Sequence, residues 1–168
     1  DLLDKARSCW EASVSRSDLD SRIVEIDRDS FGDLPDMSVD VAVMEKAGNL
    51  EQAQLDKLDM ICRKLDLRSG QRLLELGCGW GGLAGFAARR YGVEVVGITV
   101  SKEQHRLARE RTAGLPVSIE LMDYRAVHGQ FDRLVSVGMF EHVGQKNYAT
   151  YFDVVRRALK DDGLFLLH

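Results

Sequence analysis

Along the 168-residue chain the pattern of apolar and polar positions changes near residue 49. Before it, Leu2, Leu3, Ala6, Cys9 and Trp10 recur at helical spacing and predict a short amphipathic helix, followed by a polar break at Ser15, Ser17, Asp18, Asp20 and Ser21. Arg22 to Ile26 has the composition of a short strand, and Phe31-Gly32-Asp33-Leu34-Pro35-Asp36 reads as a turn. Beyond the change, Asn49 is placed to cap a helix with Gln52 at the capping-box position; Leu58, Ile61 and Leu65 line one face, and the helix ends near Asp66. Short apolar runs at Arg72 to Leu76, Val93 to Ile98, Val117 to Leu121, Arg133 to Val137 and Leu164 to Leu167 read as buried strands. Helical stretches at Leu83 to Arg90, Lys102 to Thr112 and Tyr148 to Lys160 separate most of them. This alternation predicts an α/β fold, a parallel sheet with helices on both faces joined by right-handed crossovers. The chain therefore divides into a segment 1–46, whose pattern carries no functional reading, and a core 47–168.

Composition narrows the picture without deciding it. A hydrophobic content of 45% is enough for one sizeable core, and 27 acidic against 23 basic residues leave a net charge of -4, which gives no general electrostatic reason to bind nucleic acid. Cys9, Cys62 and Cys78 form neither an even disulfide framework nor a metal-binding pair, so reduced thiols are expected and no structural zinc is implied. Apolar runs fall far short of the ~20 residues that span a bilayer, which predicts a soluble chain or one at most peripheral to a membrane.

The sharpest local feature is Glu75-Leu76-Gly77-Cys78-Gly79-Trp80-Gly81-Gly82, between the first strand of the core and the helix that follows it. Glycines at this point let the main chain turn tightly and let a ligand lie against bare backbone at a helix N-terminus. Gly77, Gly79 and Gly82 also satisfy the G-x-G-x-x-G spacing of dinucleotide folds, so a dehydrogenase stays in view. Such a site needs an acid at the end of the second strand for the ribose hydroxyls, and that end reads Gly97-Ile98-Thr99-Val100-Ser101. An acid before the bend, Glu75, and another after the third strand, Asp123, suit instead a ligand with an ammonium and an adenine amino group but no pyrophosphate. Those are the groups of S-adenosylmethionine (SAM). Simpler readings make Glu75 a surface acid and Asp123 a turn cap.

With these residues assembled, Leu74 to Gly82, Val96 to Gln104 and Val135-Ser136-Val137-Gly138-Met139-Phe140-Glu141-His142-Val143-Gly144 resemble the cyclopropane-fatty-acyl-phospholipid synthase family over about residues 47–168, as does Phe165-Leu166-Leu167-His168. The resemblance implies a Rossmann-like class I methyltransferase fold. It implies an enzyme that methylates the cis double bond of a phospholipid acyl chain with SAM and then removes a proton from the new methyl group to close a cyclopropane ring. It implies further that Gly77 and Gly79 face the methionine part of SAM, that Thr99, Val100 and Gln104 face its ribose, that Asp123 and Tyr124 face its adenine, and that Val137 lies beneath it. Glu141 and His168 match positions that hold a bicarbonate ion, the base for the proton; His142 is expected to be structural or to face solvent. By the same resemblance the enzyme is cytoplasmic, peripheral to the inner face of the membrane where it meets phospholipid acyl chains.

Two departures stand beside the likeness. Where the family carries a Tyr-Ser-Cys-Gly-Tyr-Trp type segment, this chain reads Val39-Asp40-Val41-Ala42-Val43-Met44, and Val41 cannot replace a thiol hydrogen bond. The sheet is also expected to be truncated after its fifth strand, leaving Leu164 to Leu167 as an apolar edge through which a homodimer could form. Both point to impaired turnover. A small-molecule N-methyltransferase, which shares the Phe-Glu-His pattern, and a non-catalytic SAM-binding or scaffold fragment are the alternatives.

Overall fold

The computed structural model describes residues 50–168. The amphipathic helix, short strand and turn expected near the N-terminus, Val41 and the Asn49 cap lie outside the described residues. Helix α1 (Leu50–Lys64) turns its apolar stripe inward, burying Ile61 and Cys62 as well as Leu65 just beyond its end. Five strands follow: β1 (Arg72–Leu76), β2 (Glu94–Thr99), β3 (Val117–Leu121), β4 (Phe131–Ser136) and β5 (Leu159–Leu167). Helices α2 (Gly82–Tyr91), α3 (Lys102–Arg111) and α4 (Tyr148–Ala158) connect β1 to β2, β2 to β3 and β4 to β5. All four strand pairings are parallel, in the order β3-β2-β1-β4-β5.

Local chemistry sets the element ends. Helix α2 stops at Gly92, whose left-handed conformation (φ 66°) lets its amide return to the Ala88 carbonyl. Helix α3 starts at Ser101, whose hydroxyl accepts the Gln104 amide. From Leu73 to Leu76 strand β1 is buried on both sides, as a central parallel strand requires. Alternation along it sends Leu73 into one apolar cluster with Ile61, Leu83 and Ala108, and Leu74 and Leu76 into a second with Tyr151, Val154 and Val155. Helices α1, α2 and α3 thus cover one face and α4 the other, so the winding direction reverses between β1 and β4. Each fully buried leucine of these clusters contributes roughly 1.5–3 kcal/mol.

Strands β4 and β5 begin earlier than the apolar pattern predicts. Phe131 pairs with Leu159, and the register then shifts before Arg133 meets Leu164. The shift absorbs the polar Lys160-Asp161-Asp162 stretch, and Asp132 is held there by the Lys160 ammonium at 2.6 Å and the Arg72 amide at 2.8 Å. At the β5 edge Leu164 and Leu167 are exposed. No helix of the described residues is long and apolar enough to cross a membrane.

Arg133 ties α1 to the sheet: from β4 its Nε donates to the Leu65 carbonyl at 2.6 Å, although the residue is only 8% exposed. Replacing it by methionine keeps much of the volume but leaves that carbonyl buried without this partner. Arg133→Met is therefore expected to lose about 2 kcal/mol of stability, measured by urea unfolding; an unchanged midpoint would show that the contact contributes nothing.

Candidate functional site

The turn between β1 and α2 is pinned at its base. The amides of Gly77 and Cys78 both donate to the Ile98 carbonyl of β2, at 3.1 and 2.9 Å, and the Gly81 amide closes the bend onto the Cys78 carbonyl at 2.9 Å. Gly77 has φ 78°, and a Cβ there would stand 2.9 Å from the Met139 side chain. Any larger residue would be strained and would push Met139 aside. Gly81, also left-handed, brings the start of α2 against Ala108 of α3, where a Cβ would stand 3.0 Å from the alanine methyl. Cys78 is buried beneath the bend. Burial, then the charge of Glu75, pushes its thiol up to about 12, so it stays protonated and inert at neutral pH.

Above the carboxyl ends of the strands, where the winding reverses, lies a cleft of about 430 Å³, a volume in the range of small-molecule sites. Gly77 and Gly79 form one wall; Thr99, Val100 and Gln104 form another at the end of β2; Tyr124 and Val137 complete the set of expected residues that line it. Thr99 is buried, takes the Ser101 amide at 3.1 Å and donates its hydroxyl to Gln104 Oε1 at 2.8 Å, which orients the amide side chain. Ile98, Met122, Gly138, Met139 and His142 line the cleft as well. None was singled out as a cofactor residue from the sequence, and His142, although exposed as expected, stands on the cleft wall rather than apart from it. The signal that could have found it is the left-handed Gly138 (φ 65°), which turns the chain after β4 back over the strand end.

Glu141 and His168 do not line the cleft but come to its border from two directions. Glu141 Oε1 lies 3.9 Å from the point where a Cβ on Gly138 would stand. His168 extends the β4–β5 pairing: its amide donates to the Ser136 carbonyl at 2.9 Å, and its carbonyl accepts the Gly138 amide at 3.0 Å. The Glu141 carboxylate and the His168 main chain, remote in sequence, thus each approach Gly138, itself a lining residue.

Two expected cofactor contacts are placed elsewhere. Glu75 is 5% exposed and is absent from the cleft lining. Strand alternation puts it on the face of Leu73, toward α1 and α2, where the Ala84 amide in the first turn of α2 reaches it. One carboxyl oxygen has no hydrogen-bond partner. Asp123 stands between the lining residues Met122 and Tyr124 but points both oxygens at Arg125, at 2.8 Å each, and caps the following turn by accepting the Arg125 amide at 2.9 Å. Its carboxyl is held below the usual range, chiefly by the Arg125 guanidinium.

A parallel sheet of this order, with a glycine bend and a ligand-sized cleft at the strand reversal, is a Rossmann-like arrangement, and the likeness to solved methyltransferases places the chain in their class. The chain belongs to the mycolic acid cyclopropane synthetase family, whose family model matches residues 29–168, beginning upstream of the motif-bearing region. It is 55% identical over 166 residues to the cyclopropane-fatty-acyl-phospholipid synthase of Escherichia coli (strain K12), covering 99% of this chain and 42% of that protein. The chain thus spans less than half the length of that relative. Among solved structures, the mycolic acid cyclopropane synthase CmaA1 complexed with SAH and CTAB superposes with a TM-score of 0.68 at 36% identity, over 71% of this chain and 43% of the other. Coclaurine N-methyltransferase, bound to N-methylheliamine and SAH, gives a TM-score of 0.67 at 29% identity, over 73% and 38%.

The buried Glu75 makes a pH-dependent prediction. Burial raises its carboxyl from 4.5 to about 8. Folded protein therefore holds this proton more tightly than unfolded protein does. The stability it contributes is full below about 4.5 and is lost as pH rises toward about 8. Glu75→Gln cannot ionise, so its stability relative to the parent should climb across that window, by a few kcal/mol on the order-of-magnitude scale of such shifts. Urea unfolding at a series of pH values reads the gap, and a gap that stays constant with pH would contradict a buried, protonated Glu75.

Proposed function

We propose that the chain is the SAM-binding part of a cyclopropane-fatty-acyl-phospholipid synthase, which transfers a methyl group to the cis double bond of a phospholipid acyl chain and closes it to a ring. The observation that carries this reading is the approach of the Glu141 carboxylate and of the His168 main chain to Gly138, at the border of a cleft whose rim is a bare glycine bend. SAM suits the residues present: a Cβ at Gly77 would meet Met139 beside the cleft, and Tyr124 offers an aromatic face for adenine. Gly77 and Gly79 would then take the methionine part, Thr99, Val100 and Gln104 the ribose, and Val137 the underside. Asp123 could join only by giving up its partly exposed ion pair with Arg125, a small cost for such a pair. Glu75 supports the bend from below instead of meeting the ligand.

When bound, SAM supplies an electrophilic methyl group. A methylated alkene is a carbocation, and a ring forms only if a proton leaves the new methyl group before water adds. Glu141 and His168 are the groups of this chain that would hold a bicarbonate ion, and the bicarbonate would take that proton as the base. The acyl chain would come from a membrane surface on the cytoplasmic side, and the exposed β5 edge would be the place for a further strand or a second copy.

His142 on the cleft wall favours one other reading, an N-methyltransferase in which the imidazole meets the accepting amine. Incubation with unsaturated phospholipid against amine acceptors separates the two by product. The cofactor assignment itself is tested by calorimetry with S-adenosylhomocysteine. The parent chain is expected to bind, and Gly77→Ala to bind at least about tenfold more weakly, because an alanine relieves its backbone strain of ~1–3 kcal/mol by reshaping the bend and displaces Met139, a lining residue, from its seat. Absence of binding by folded parent protein would reject the assignment.

A further inference from the structure

Behind the cleft, one side chain touches two of its functional edges. Tyr151 of α4 is fully buried, and its ring packs edge-on to Tyr124 with centroids 5.5 Å apart. The same ring packs against Phe140 at 5.0 Å. Tyr124 lines the cleft, and Phe140 opens the short turn Phe140–His142 that carries Glu141 and His142. Phe140 also stacks on Tyr148 at 4.4 Å and tilts against Phe152 at 5.6 Å, so three rings of the same helix contact it, of which Tyr151 is the one that also packs on Tyr124. Without a rigid backing, that turn has little to fix it. Two backbone hydrogen bonds close it, His142 to Met139 at 2.9 Å and Val143 to Phe140 at 3.0 Å, and its start has no side-chain cap.

We propose that Tyr151 is a positioning residue, which sets the Tyr124 wall and the Glu141–His142 turn at a fixed separation by packing one ring against both. The proposal rests on the reading of the cleft as an adenosyl site and assigns to α4 the task of holding the adenine end and the reacting end in register. The ring carries the effect and the hydroxyl does not, since the hydroxyl is buried beside Ser136 without a well-formed hydrogen bond. A phenylalanine at 151 should therefore serve almost as well, whereas a leucine keeps the site apolar but forfeits both ring contacts.

The test uses the whole 168-residue chain, kept below the melting temperature of every variant, with S-adenosylhomocysteine and adenosine as the probes. Tyr151→Leu should weaken both ligands by about tenfold, and Tyr151→Phe should stay within about threefold of the parent. In a Tyr124→Ala background Tyr151→Leu should have almost no further effect on adenosine, because the wall through which it acts on adenine is gone. Hydrogen exchange supplies a readout independent of ligand: the Val143 amide should lose protection in Tyr151→Leu. Val154→Ala, a truncation in the same helix and the same apolar cluster, should lower stability while leaving affinity and Val143 protection unchanged. Parent-like affinity in Tyr151→Leu, or equal losses in Val154→Ala, would overturn the proposal. Failure of the parent itself to bind either probe would instead overturn the adenosyl reading beneath it.

Discussion

The carbonyl of Ile98, shared by the amides of Gly77 and Cys78, is the contact on which the site depends. It fastens the chain as it leaves β1 to the end of β2, so the glycine bend turns sharply and its main chain stays beside open space. If the bend rose straight off β1, Met139 would lose its seat against Gly77 and could fall into the cleft. The close approach is possible because neither Gly77 nor Gly97 has a side chain: Cys78 tucks beneath the bend to 2.9 Å from where a Gly97 Cβ would be. The pinned bend, the inert thiol and the buried acid under it form one unit, stabilised by packing and poised to accept a ligand on its outer side.

A second constraint comes from the reversal of winding between β1 and β4. Helices on one face serve the bend, while α4 on the other face serves the turn after β4, so the two rims of the cleft are braced by separate apolar clusters. The His168 backbone, bonded to both Ser136 and Gly138, joins the last strand to that second rim. The cleft therefore draws on both cores at once.

Much of this was legible from residue order, and the misses have physical reasons. β1 and β3 fall where the apolar runs put them, because glycines or turns bound both runs cleanly. The early starts of β4 and β5 were hidden by Asp132 and by the Lys160-Asp161-Asp162 stretch, polar residues tolerated at a register shift near the sheet edge. Proximity to the bend suggested Glu75 as a cofactor residue, whereas strand alternation sends its side chain to the α2 side and buries it there. The Asp123 turn cap was among the readings left open. His142 could not be placed by period at all, since its position follows from the left-handed Gly138.

The central claim, that the outer side of the bend is an adenosyl site, is tested most directly by following backbone amide resonances while S-adenosylhomocysteine is added. Shifts concentrated on Gly77, Gly79, Thr99, Gln104 and Gly138, with NADH producing none of them at equal concentration, are the result expected. Resonances of these five residues that stay unmoved at saturating ligand, or that move equally with NADH, would contradict it.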